Sequence, residues 1–312
     1  MMTLKEYILQ HYSERSLARY VNQINQFKSY QGSRIDETSY SEVVEYIGIL
    51  RERRNNKTGE CLHPKSLRNH LFSLKIYFRY LVSVGKRKDH PCESLYLKDQ
   101  INRAIIVESL YSKEQLEELY KNYESPRDKR VWTEKSESIK KRDKVILSLL
   151  IYQALTTSEI IELKVSDIDL EEGTIKIRSI ENPGRRGNKA RILILKSKQI
   201  LLFDNYIKKH RKQLWRRQKP SKRLDYFILN EQGGKLWGSY LNRMLSKGRK
   251  PNEIFTPMKI RQSVIANLLK ENNDLRIVQA FAGHRRTGST EAYKRTGLEE
   301  LKSSIEKLHP RQ

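Results

Sequence analysis

The period of the apolar residues changes in one sustained stretch. From Thr174 to Ile180 and again from Arg191 to Leu195, apolar and polar residues alternate as in half-buried strands, and the basic, glycine-containing turn Pro183 to Asn188 joins the two into a hairpin. Across most of the remaining chain, apolar residues return every three or four positions, the spacing of a helix face. The chain is therefore predicted to be mainly α with a small antiparallel sheet.

The helical pattern divides into two parts. It runs through Leu17, Tyr20, Ile24 and Phe27, then through Val43, Val44, Ile47 and Leu50, all expected to point inward. A denser stripe from Leu67 to Leu81 opens after Pro64, with Ser66 placed to cap it, and ends at Gly85. Residues 1–95 thus read as a small helical domain. Periodicity stops near His90-Pro91, so 96–111 reads as a linker and 112–312 as a second, larger domain. That domain opens on Ser112-Lys-Glu-Gln115, a capping-box pattern, and Val145 to Leu155 is apolar nearly all round, as in a buried helix. Beyond the hairpin the pattern predicts a basic helix from Gln199 to Arg217, a short strand from Tyr226 to Leu229, and helices opening at Ser239, Lys259, Asp274 and Gly297.

Charge narrows the class of partner. The 312 residues include 62 Lys and Arg against 37 Asp and Glu, a formal net charge of +25. Because the signs are interspersed, the excess coats folded surfaces and attracts a polyanion. Nucleic acid is the leading partner and an anionic membrane the second. No segment approaches the ~18 consecutive apolar residues of a membrane helix, and the N-terminus lacks a signal peptide's apolar core. A soluble, intracellular protein is expected, cytoplasmic and nucleoid-associated, with no membrane partner. Cys61 and Cys92 are too few and too far apart for a zinc cluster, so no metal or cofactor is expected. In the first domain Arg68, Lys75, Arg79, Lys86, Arg87 and Lys88 fall on polar faces suited to DNA phosphates.

The stretch from Arg261 to Tyr293 carries the candidate chemistry. A Gly-His pair closes an apolar helix so that His284 lies 23 residues after Arg261, and Tyr293 lies nine after His284. Singly these are ordinary residues, a solvated charge, a satisfied imidazole and a packing ring. With those intervals, the preceding hairpin GRRGNKARILIL and the order of the domains, the chain resembles the tyrosine recombinase and phage-integrase family along nearly its whole length. The segment KSLRNHLFSLKIYFRYLVSVG is similar to the second long helix of that family's core-binding domain, and the part from about 112 onward to its catalytic domain.

The resemblance implies a helical core-binding domain plus an α+β catalytic domain. It implies a site-specific DNA recombinase, an integrase, transposase or invertase, that cuts and rejoins strands through a 3′-phosphotyrosyl intermediate. Double-stranded DNA would be the partner, with a homo-oligomer on DNA, tetrameric in synapsis, and accessory DNA-bending proteins as possible helpers. Tyr293 would be the nucleophile, Arg261 the charged fork on the nonbridging oxygens, and His284 a further donor. A phenol near pKa 10 needs positive surroundings, which Arg261, Arg285, Arg286 and the hairpin are placed to give, and Arg185, Arg285 and Arg286 would also bind DNA. The tail carries Leu298, Leu301, Ile305 and Leu308 on one face, reading as a helix that packs on a neighbour or on its own domain.

The sequence departs from the family pattern at three places. Where the family has Gly-Leu-Arg-x-Ser-Glu, this chain reads Ala154-Leu155-Thr156-Thr157-Ser158-Glu159, so Thr156 stands at the first phosphate-clamping arginine. The hairpin lysine is replaced by Arg186, with Lys189 three residues along, and an arginine's pKa is too high to give up a proton readily. In Met258-Lys259-Ile260-Arg261 a methionine occupies the usual histidine position. Either another cation, Arg178, Arg185 or Lys189, serves the phosphate left unclamped by Thr156, or the fold is a catalytically impaired recombinase retained for DNA binding.

Overall fold

The computed structural model describes residues 2–55, 59–99, 109–123, 134–179, 187–247 and 255–293. It contains two compact units, and of the described residues 2–99 belong to the first and 109–293 to the second.

The first unit is built from α1 (Leu4–His11), α2 (Glu14–Gln31), α3 (Tyr40–Glu52) and α4 (Pro64–Ser83). Thr3 and Ser39 open α1 and α3 with capping boxes closed by Glu6 and Glu42. The start of α4 differs from the expected one. His63 is its cap, accepting from the Lys65 backbone N–H at 3.1 Å, and Pro64 already sits in the first turn, where a missing N–H costs nothing. Ser66 is therefore inside the helix. Val44, expected inward, is 42 % exposed, because Val43, Tyr46, Ile47 and Leu50 follow the i, i+3, i+4, i+7 stripe and leave it to one side.

After α4 the chain folds back along it. Cys92 is fully buried, Leu95 and Leu97 pack on the helical core, and the Asp99 carbonyl accepts from Arg68. Lys75 Nζ donates to the Glu93 carbonyl at 2.7 Å and lies 4.2 Å from the Tyr96 ring centroid. This corrects the expectation of an outward cationic row: Lys75 is buried, and that burial pushes its ammonium pKa down. Arg87 pairs with Asp89 at 3.0 Å and stacks on Phe78. Arg79, Lys86 and Lys88 are exposed.

The second unit opens with α5 (Lys113–Asn122), where Ser112 and Gln115 close the predicted capping box. It continues with α6 (Glu134–Tyr152) and α7 (Thr157–Glu162). A three-stranded antiparallel sheet follows, β1 (Ile168–Asp169), β2 (Thr174–Ile177) and β3 (Arg191–Ile194), in the order β1-β2-β3, with Ile175 opposite both Ile168 and Leu193. The alternation sends Ile175, Ile177 and Leu193 into the core and leaves Ile192 and Ile194 outside. β1 is too short to carry a visible alternation of its own.

The predicted basic helix is α8 (Ser197–Asn205), which passes through a π turn at Tyr206–Arg211 into α9 (Lys212–Trp215). Tyr226 to Leu229 does not form the expected strand. Tyr226 and Leu229 make only isolated bridges, to Lys164 and Lys235, and the Tyr226 carbonyl is taken by the Arg211 guanidinium at 2.7 and 2.9 Å. The closing helices are α10 (Gly238–Ser246), α11 (Pro257–Lys270) and α12 (Leu275–Ala282), the last capped by Asp274. The helix expected at Gly297, the tail residues Leu298 to Leu308, and Arg185 and Arg186 of the hairpin turn lie outside the described residues. Among the described residues no helix is long and apolar enough to cross a membrane.

The fully buried face of α6 includes charge. Arg142 and Asp143 are 0 and 1 % exposed; Arg142 donates to Asp143 at 2.8 Å and to the Leu229 carbonyl at 3.0 Å, and the Tyr240 hydroxyl donates to Asp143 at 2.9 Å. Removing one member of such a group strands the other's charge in a dry interior. Asp143→Ala is expected to lower the unfolding free energy by about 3–5 kcal/mol. Asp89→Ala removes a carboxylate that is 68 % exposed and is expected to move the unfolding midpoint far less. Urea denaturation of the two variants measures the difference.

Candidate active site

The C-terminal end of α12 organises the site. Gly283 ends the helix in the left-handed conformation, φ 70°, and the His284 N–H returns to the Gln279 carbonyl at 3.1 Å. The Lys189 N–H donates to the Gly283 carbonyl at 2.8 Å, tying the return limb of the hairpin to this turn. A Cβ at Gly283 would stand 2.5 Å from Arg191 Nη1 and 3.1 Å from the Lys189 carbonyl oxygen, so this glycine is needed for space as well as for backbone.

Arg261, in the second turn of α11, is 5 % exposed. Its Nη1 donates to the carbonyl of Ala154, just past the end of α6, and its Nη2 to the carbonyl of Ala282, the last residue of α12, at 2.6 Å. Both acceptors belong to the negative ends of helices, which favours a buried cation. Burial pulls the Arg261 pKa down, Glu159 raises it and Arg191 lowers it further, yet a guanidinium keeps its charge at neutral pH.

His284 Nδ1 is 2.9 Å from Thr290 Oγ1, and Thr290 is fully buried in the helical stretch 288–293. Burial, followed by the charges of Arg261 and Arg191, pushes the imidazole down to about 4, so His284 is neutral at pH 7. Tyr293, on the same stretch, packs against the cluster of Ile265, Val278 and Ala282. Burial pushes its phenol up while Arg261 pulls it back. Arg261, His284 and Tyr293 thus share one electrostatic neighbourhood.

Thr156 is the cap of α7. Its hydroxyl donates to Glu159 Oε2 at 2.9 Å and accepts the Glu159 N–H at 3.2 Å, in a closed capping box. Glu159, 4 % exposed, accepts from Asn188 Nδ2 at 3.2 Å and Arg191 Nη1 at 2.6 Å through its other oxygen. Burial pushes this carboxyl up, but Arg191 outweighs it and holds the group below the usual carboxylate range. Met258 is 63 % exposed in the first turn of α11.

The other cations named from the sequence stand differently. Arg178 pairs with Asp167 at 2.6 Å. The Lys189 side chain is exposed while its backbone makes the anchoring bond. Arg285 donates to the Gly187 carbonyl at 2.5 Å and to Ser179 Oγ at 3.0 Å, bracing the two limbs of the hairpin, and Arg286 is exposed. Glu159, Arg191 and Thr290 were not singled out from the sequence. The pattern Thr156-x-x-Glu159 is a readable capping box, whereas nothing in the sequence marks Arg191 or Thr290.

Residues 110–299 match the Phage integrase family and residues 3–85 match the N-terminal SAM-like domain of phage integrases. The chain belongs to the phage integrase family. It is 25 % identical over 304 residues to the tyrosine recombinase XerD of Listeria innocua, covering 96 % of this chain and 94 % of that one. It is 25 % identical over 312 residues to the tyrosine recombinase XerC of Bacillus subtilis, covering 97 and 93 %. Among solved structures, the XerH site-specific recombinase bound to its difH substrate superposes with a TM-score of 0.64 at 18 % identity, over 92 % of this chain and 79 % of that chain. The Tn1549 transposon integrase in complex with a circular intermediate DNA gives a TM-score of 0.57 at 16 % identity, over 97 and 100 %. The mainly helical, two-domain tyrosine recombinase architecture with a small antiparallel sheet is thereby that of this phage-integrase-family chain.

Two consequences can be measured. Gly283→Ala forces a side chain into left-handed backbone and against Arg191, and is expected to destabilise the protein by more than about 1 kcal/mol in thermal or urea unfolding. His284 is held neutral, so its contribution to stability is fully present above its unfolded pKa near 6.5 and is lost as pH falls toward its folded value of about 4. His284→Gln is expected to lose less stability between pH 7 and 4.5 than the parent, by up to about 3 kcal/mol, in urea titrations at the two pH values.

Proposed function

We propose that this protein is a site-specific tyrosine recombinase that uses Tyr293 to cut and rejoin double-stranded DNA through a 3′-phosphotyrosyl intermediate. The observation that carries the reading is the convergence of Arg261, His284 and Tyr293 on the turn at Gly283, inside a family whose solved relatives include recombinases bound to DNA. The net charge of +25 supplies the attraction for the duplex.

In the proposed step the Tyr293 Oη forms a bond to phosphorus as the P–O5′ bond breaks. The phenol gives up its proton and the departing 5′ oxygen takes one up, so the step is balanced without ATP, metal or redox change. Rejoining is the reverse displacement, with a different 5′ hydroxyl attacking the phosphotyrosine. Arg261 brings fixed positive charge to the nonbridging oxygens, where charge builds up in the transition state. His284, being neutral, carries one ring proton. In the proposed arrangement Thr290 Oγ1 donates to Nδ1, 2.9 Å away, which places the ring proton on Nε2 where it can donate to the phosphate. Thr290 is thus a positioning residue. The protein is expected to act as a homo-oligomer, tetrameric when two sites are synapsed, with accessory DNA-bending proteins as helpers and the nucleoid as its place of work. A second reading, a recombinase fold retained only for DNA binding, draws on the commitment of the Thr156 hydroxyl to its capping box.

Nicked suicide duplexes prepared from the DNA flanking the gene separate the two. Wild-type protein is expected to give a covalent adduct that survives SDS, and Tyr293→Phe to abolish it while changing DNA affinity less than about threefold, since only one hydroxyl is lost. Persistence of the adduct in Tyr293→Phe would remove Tyr293 as nucleophile. DNA shifted by the wild type without any adduct would establish the binding-only reading.

A further inference from the structure

The residue that stands at the family's first arginine, Thr156, brings no charge, yet a second guanidinium lies two hydrogen bonds away. Thr156 Oγ1 donates to one oxygen of Glu159, and Arg191 Nη1 donates to the other at 2.6 Å. The Arg191 side chain is 6 % exposed, and its Nε and Nη2 are shielded from solvent with no hydrogen-bond partner among the described residues. These two nitrogens form the side edge of the guanidinium, whose parallel N–H groups match two oxygens of a phosphate. A buried charged donor without an acceptor is costly, and one such group at a candidate site calls for an absent occupant.

The position of that edge is fixed from two directions. Glu159 holds Nη1, and Gly283 packs against the guanidinium so closely that a Cβ there would stand 3.0 Å from Cζ. The charge of Arg191 acts on both Arg261 and His284. Of the cations proposed from the sequence to replace the missing arginine, Arg178 is held by Asp167, Arg185 lies outside the described residues, and the Lys189 side chain is exposed to solvent with no carboxylate among the described residues fixing its position as Glu159 fixes Arg191. We infer that Arg191, entering from the first position of β3, is a catalytic residue that binds the nonbridging oxygens of the scissile phosphate through Nε and Nη2, in place of the arginine absent at Thr156. The inference rests on the strand-exchange reading and adds to it the identity of the second phosphate clamp.

A clamp acts on the charge of the phosphate, so its loss should depend on that charge. The test uses duplexes to which the wild type becomes covalently attached, made in two forms: the natural phosphodiester, and one with an uncharged methylphosphonate at the scissile position. Arg191→Ala is expected to slow adduct formation about 100- to 1,000-fold on the phosphodiester and less than about 10-fold on the methylphosphonate, where no anion needs neutralising. Arg191→Lys keeps a cation opposite Glu159 and so preserves the fold, as its thermal midpoint will report. Lacking the side edge, it is expected to lose at least about 10-fold on the phosphodiester alone. Equal slowing of both substrates would mean that Arg191 only supports the fold, and wild-type rates in Arg191→Lys would mean that the edge is not used; either result overturns the inference. If the wild type gives no adduct on any duplex, the strand-exchange reading itself falls, whereas an active wild type with equally slowed variants removes the Arg191 clamp alone.

Discussion

The candidate site depends on the burial of one cation among helix ends. Arg261 reaches from α11 to the carbonyls of Ala154 and Ala282, and those two bonds hold the exit of α6 and the end of α12 around one guanidinium. Carbonyls at helix C-termini lack intrahelical partners, so the arginine satisfies groups that would otherwise be buried unpaired. Ala154 adopts a left-handed conformation, φ 49°, to aim its carbonyl at Arg261. That conformation disfavours a non-glycine residue by roughly 1–2 kcal/mol, and the charged hydrogen bond offsets it. Arg261 is therefore part of the architecture before it touches any substrate, and a catalytic reading of its substitution has to be separated from a structural one. Tyr293, whose hydroxyl supports nothing comparable in the described structure, is the cleaner probe of chemistry.

What could be read from the sequence follows from how local each feature is. The capping box at Ser112, the alternation through Ile175 and Ile177, and the stripe from Leu67 to Leu81 depend on residues within a few positions of one another, and periodicity finds them. The Tyr226–Leu229 run looked like a strand by composition, but Arg211 took its carbonyl, a tertiary event that no window of sequence contains. The burial of Lys75 is a tertiary event of the same kind. A lysine on an amphipathic stripe reads as solvated, and here the returning chain supplies the Glu93 carbonyl and the Tyr96 face that cover it. At the site, the intervals between Arg261, His284 and Tyr293 were legible because the family pattern fixes them. Arg191 was not, since a charged residue at the start of a strand is ordinary until Gly283 and Glu159 are seen to enclose it.

Thr156 exchanges one task for another, since an arginine at that place would bring charge but no acceptor for the Glu159 backbone N–H. A threonine is a good helix cap, and the box with Glu159 completes the start of α7. What it cannot provide is charge. Glu159 then becomes the link: one oxygen serves the cap and the other holds Arg191, so the carboxylate that starts the helix also fixes the orientation of a guanidinium from the neighbouring strand. The same cations set the state of His284. Its pKa of about 4 follows from burial and then from Arg261 and Arg191, the positive field that a phosphate anion would meet. A bound phosphodiester would oppose that field and raise the imidazole's proton affinity. The histidine would then hold its proton most firmly when negative charge on the phosphate is greatest, the moment at which a hydrogen-bond donor is worth most.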